Sequence, residues 1–98
     1  MILVTGSIVT RADDLDQLIA LCLEHVRRSR AEPGCLAHAV HRDVENPLRL
    51  VFLEQWSDRA ALAAHFAVPG SRAFVAGVRE LAAEQPQIRV SEAEPVKV

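Results

Sequence analysis

The stretch Leu48–Trp56 most narrowly limits what this chain can become. Read as a strand, it puts Leu48, Leu50, Phe52, Glu54 and Trp56 on one side and Arg49, Val51, Leu53 and Gln55 on the other. Large apolar side chains sit at the centre of both sides, so the strand needs cover on both faces. It runs into an acid and the chain's only tryptophan. Ser57 or Asp58 then caps a short alanine-rich helix through Phe66, which carries His65 nine positions after Trp56.

The flanking segments supply partners for that strand. Ile2–Thr10 is rich in β-branched residues and reads as a strand, with Gly6 marking a bend or the close approach of another group. Asp13 or Asp14 caps a helix whose apolar stripe is Leu15, Leu18, Ile19, Cys22 and Val26, and Pro33-Gly34 stops it. Cys35–Asp43 alternates again, with Leu36, His38, Val40 and Arg42 on one face and Cys35, Ala37, Ala39 and His41 on the other. Glu45-Asn46-Pro47 turns the chain, so this strand and Leu48–Trp56 form an antiparallel hairpin. Val68-Pro69-Gly70 breaks the second helix, and a further helix runs from Ser71 to about Glu84 with Phe74, Val75, Val78, Leu81 and Ala82 as its stripe. Gln87–Val98 reads as a last strand that becomes an edge or extended arm near Pro95.

The order β-α-β-β-α-β predicts an α+β, ferredoxin-like antiparallel sheet with helices on one face, built as a single domain over residues 1–98. Helices from one chain cover one face only, so the apolar second face predicts a homodimer. A net charge of -2 leaves no electrostatic footprint for nucleic acid, and no apolar run approaches the ~20 residues that span a bilayer. The start Met1-Ile2-Leu3-Val4-Thr5-Gly6 lacks the features of a signal peptide. Cys22 and Cys35 fit no metal or redox spacing and read as free thiols in a reducing cytoplasm.

Taken in order, Glu32-Pro33-Gly34-Cys35, His38, Asn46-Pro47, Phe52-Leu53-Glu54-Gln55-Trp56-Ser57-Asp58 and Ala61-Leu62-Ala63-Ala64-His65-Phe66 resemble the antibiotic biosynthesis monooxygenase domain family. The resemblance covers nearly the whole chain. It implies a dimeric α+β barrel and, in its characterised members, oxidation of quinol or polycyclic aromatic substrates by dioxygen without metal or flavin. Other members degrade haem, and others have no known activity. His38 stands where the family usually has a tyrosine, and Ser7 aligns where haem-degrading relatives carry an asparagine.

Together the residues and the resemblance predict a cofactor-independent monooxygenase acting on a small aromatic or quinol substrate. His65 is the expected base, since an imidazole near its ordinary pKa accepts a phenolic proton at neutral pH. Glu54 is expected either to orient His65 or to pair with Arg42 or Arg72. Trp56, Phe52, Phe66 and Phe74 are expected to line an aromatic pocket, with His38 and Ser7 as further substrate contacts. His25 and His41 read as surface residues. His38 and His41, three apart on a strand, point to opposite faces, so no metal site is expected. The alternatives are a ligand-binding or stress-associated dimer without catalysis, and a haem-binding or haem-degrading relative with His65 as ligand.

Overall fold

The computed structural model describes residues 1–98. Four strands make one sheet: β1 (Ile2–Val9), β2 (Cys35–Arg42), β3 (Arg49–Trp56) and β4 (Gln87–Glu92). Their order is β2-β3-β1-β4, with every neighbouring pair antiparallel. Helices α1 (Leu15–Ser29), α2 (Arg59–Ala67) and α3 (Pro69–Leu81) accompany them, and a single 3-10 turn, Ala12–Asp14, leads into α1. This is the predicted ferredoxin-like arrangement. No single helix is long and apolar enough to cross a membrane.

Strand parity in β3 holds as read. Leu50, Phe52, Glu54 and Trp56 are buried beneath the helices, whereas Leu53 on the opposite face is 42% exposed. The main core joins Phe52 and Leu50 to Leu18, Cys22 and Val26 of α1 and to Val78 and Leu81 of α3. A second cluster packs Trp56 against Ile2, Val4 and Leu62.

Parity in β2 differs from the alternation expected. Cys35 lies opposite Trp56 and Ala37 opposite Gln55, so Leu36 is an extra residue, a β-bulge. The bulge brings Cys35 onto the buried face, where it packs against the Trp56 cluster, and leaves Leu36 58% exposed. From His38 onward the expected parity returns, with His38 opposite Glu54 and Val40 opposite Phe52. Both cysteines are free, with Cys22 in the main core and its thiol pushed up to about 12 by burial.

The helix ends are set locally. Asp58 Oδ1 accepts the Ala61 N–H at 2.8 Å and caps α2. The predicted break at Val68-Pro69-Gly70 is a sharp turn of 70° between α2 and α3. Yet α3 starts at Pro69, two residues before the expected Ser71, because a proline at the first helical position loses no hydrogen bond. It stops at Leu81, where the Thr10 hydroxyl donates to the Leu81 carbonyl at 2.6 Å.

Candidate active site

The largest cavity, about 680 Å³, lies between the sheet and α3. Its floor is Val4, Gly6, Ile8, Phe52 and Glu54, and Phe74, Val75 and Val78 form its roof. The segment Ala82–Ile88 closes one side. Gly6 shows the close approach expected of it: a Cβ there would stand 3.1 Å from the Gln87 carbonyl oxygen. A glycine is therefore what lets β4 lie against this end of the cleft. The lining is mainly apolar, and Glu54 is its one buried ionisable group.

Glu54 points at this cleft from the middle of β3, and three buried histidines stand close by. Its Oε1 accepts the Trp56 indole N–H at 2.9 Å and lies 3.3 Å from His38 Nε2. Burial alone would raise the Glu54 pKa. His38, the indole N–H and the nearby His65 outweigh that and hold it below the ordinary carboxylate value. Neither expected partnership forms: Glu54 pairs with no arginine, and its polar contacts are His38 and Trp56. His65 is oriented instead by Glu32, whose Oε1 is 2.9 Å from His65 Nδ1. Glu32 comes from the turn before β2, where Gly34 adopts φ +81°. A hydrogen bond donated by Nδ1 to the carboxylate leaves the lone pair on Nε2.

His25 is the residue that sequence reading misplaced. It is not on the surface but only 4% exposed, beside His38 at 2% and His65 at 3%. Its ring stacks on Phe74 with centroids 3.9 Å apart, and its Nδ1 lies 2.6 Å from an Arg28 nitrogen, which donates to it. Burial, the neighbouring His38 and His65, and Arg28 lower its pKa to about 3, so it is neutral. The signal was present in the sequence: His25 falls three positions after Cys22 and seven after Leu18, on the buried stripe of α1. His41 is exposed, as expected.

Spacing along the chain was also a poor guide to clustering. One ring nitrogen or equivalent ligand atom from each of His25, His38 and His65 lies within 4.8 Å of the others. These three residues come from α1, β2 and α2.

The remaining candidates divide. Phe52 and Phe74 line the cleft, with ring centroids 5.7 Å apart at 70°. Trp56 does not: it is wholly buried, packs in the second cluster, and acts on the site only through its bond to Glu54. Its ring lies 4.5 Å from that of His65. Phe66 is 48% exposed and outside the cleft, because it follows His65 on α2 and so faces away from the sheet. Ser7 borders the cleft, but its register partner is Val51, which puts its side chain on the uncovered face. His65 and His38 stand behind the Glu54 wall and do not line the cleft. His65 instead borders a separate recess of about 310 Å³ beside Glu32 and Gly34. An axial haem ligand must reach the haem, and His65 is enclosed and bonded to Glu32, so it does not fit that role in the main cleft.

The sequence model for antibiotic biosynthesis monooxygenase matches residues 1–77. An uncharacterised protein of Synechocystis sp. is 34% identical over 89 residues, which cover 91% of this chain and 60% of the relative. The chain thus spans about three-fifths of the length of that curated relative. A crystal structure of an antibiotic biosynthesis monooxygenase is 29% identical, with a TM-score of 0.89 over 97% of this chain and 100% of the other. A Deinococcus radiodurans protein at 25% identity superposes with a TM-score of 0.95 over 100% and 98% of the two chains. A Mycobacterium tuberculosis protein, also 25% identical, gives 0.91 over 99% and 98%.

Proposed function

Since the chain belongs to the antibiotic biosynthesis monooxygenase family, we propose that it oxidises a small hydroxylated aromatic or quinol compound with dioxygen in the cleft beneath α3. The observation that carries this reading is Glu54: a buried carboxylate in the wall of a mainly apolar cleft, in contact with His38. An aromatic ring lying in the cleft against Phe52 and Phe74 would direct its hydroxyl at Glu54.

The chemistry asks little more of the protein. Glu54 accepts a hydrogen bond from the hydroxyl and relays its proton to His38 behind it. The electron-rich anion reduces dioxygen, a carbon–oxygen bond forms, and the peroxide breaks with loss of water. For a phenol the balance is substrate plus dioxygen to quinone plus water, the ring supplying all four electrons. Glu32 and His65 have a supporting role here, as the hydrogen-bonded pair that fixes the orientation of this imidazole among the histidines. The acting form is a homodimer joined through the uncovered sheet face, working in the cytoplasm, with no cofactor required.

Oxygen uptake by metal-stripped protein, followed against a panel of phenols and quinols, tests the reading. Glu54→Gln should lower the rate about 100-fold or more, the range for loss of a proton-transfer group. His65→Ala should lower it less, because His65 does not reach the cleft. Uptake unchanged by Glu54→Gln overturns the assignment. Aromatic binding without any uptake would leave a ligand-binding protein using the same cleft.

A further inference from the structure

We propose that His25, His38 and His65 form a binding site for one divalent transition-metal ion, of the zinc or cobalt kind, with the Glu54 carboxylate beside His38. Three imidazoles from three separate elements converge with a ligand atom each inside 4.8 Å, and all three are buried. His38 Nδ1 has no hydrogen-bond partner, and its Nε2 has only the 3.3 Å contact with Glu54, although the residue is almost fully enclosed. An unsatisfied buried donor or acceptor is costly, and a metal ion bound to the free lone pair would satisfy it.

The surroundings suit such an ion. Neutral imidazole and carboxylate are the ligands that zinc and its neighbours take. A tetrahedral shell with bonds near 2.0 Å has edges of about 3.3 Å, so the histidine ligand atoms, all within 4.8 Å of one another, need to close by at most about 1.5 Å. Glu32 on His65 Nδ1 is the outer carboxylate that typically orients a metal-binding imidazole and leaves Nε2 for the ion. The Trp56 indole fixes Glu54 in the same way. Two carboxylates, Glu32 and Glu54, offset the ion's double charge. One feature opposes binding: Arg28 donates to His25 Nδ1, which keeps the proton on Nε2 and places a positive charge beside the cage. Arg28 therefore sets the affinity, and removing it should strengthen binding.

The site shares His38 with the proposed oxidation, and its test is read without substrate. Cobalt(II) titrated into the EDTA-treated full chain should give the intense visible bands of a tetrahedral centre at one ion per chain, and zinc should abolish them. His38→Gln and His65→Gln should each weaken binding well beyond tenfold, and Glu32→Gln about tenfold, as expected for an outer-shell partner. Arg28→Met should tighten it, and His41→Gln on the exposed face should change nothing. Should a variant fail to fold, NMR of the wild-type imidazoles decides: zinc should move three ring signals and leave His41 in place. Pale octahedral cobalt bands, affinity equally sensitive to His41→Gln, or zinc shifts confined to His41 would each overturn the site. Metal binding without oxygen uptake would remove the oxidation reading and leave this one standing, and the reverse result would do the opposite.

Discussion

His25 is where the cost of burying a base is most directly measurable. In the unfolded chain it takes up a proton near the ordinary value of 6.5, but in the folded protein only near 3, with burial the largest cause. Between those values the unfolded state binds more protons, so stability rises with pH. The contribution is complete above about pH 6.5 and is lost as the pH falls toward 3, at about 1.4 kcal/mol per pH unit. Urea unfolding of wild type and His25→Gln at several values from pH 7 to pH 4 should show a flatter dependence in the variant. Equal slopes would mean that His25 is protonated in the fold. Glu54 adds a dependence in the same direction at lower pH, because its folded pKa is depressed and its stabilisation disappears as the pH falls through that value.

Among the elements, the turn from α1 into β2 contributes most to the site. It carries Glu32, and Gly34 closes it with a positive φ that side chains rarely adopt. A Cβ at Gly34 would stand 2.5 Å from the Ala61 side chain and 2.7 Å from Ser57 Oγ, so α2 would have to move as well. Gly34→Ala should therefore cost about 2 kcal/mol, within the range for a strained non-glycine residue, and should loosen Glu32 from His65. Thermal unfolding measures the first effect, and the His65 Nδ1 proton signal the second. For comparison, Asp58→Ala removes a helix cap only and should cost about 1 kcal/mol with that proton signal unmoved. A stable Gly34→Ala protein with an intact His65 signal would show that the turn does not position the pair.

At the scale of the molecule, the sheet face opposite the helices is uncovered. Leu53 lies there 42% exposed beside partly buried Val51 and Leu3, a surface of the kind that a second copy would cover. If the protein dimerises through this face, Leu53→Arg should give a monomer in sedimentation at micromolar concentration, with the circular dichroism of the wild type. A wild-type monomer under the same conditions would remove the homodimer from the proposal.

Periodicity along the chain was enough to determine the element order, the two-sided character of β3, a cap at Ser57 or Asp58 and the break before α3. Each of these depends on neighbours within a few residues, through side-chain direction, local hydrogen bonding or proline geometry. It also placed Glu54 on the buried face with Phe52 and Trp56, so half of the site was legible before any fold. What only the tertiary structure decided is which buried groups meet. The Leu36 bulge moved Cys35 across the sheet, Glu32 displaced Glu54 as the partner of His65, and α1 carried His25 in among the other histidines. Those outcomes depend on register and on how α1 and α2 lie over the sheet. Contacts between positions 25, 38 and 65 are settled by packing across the whole domain, which spacing along a chain does not encode.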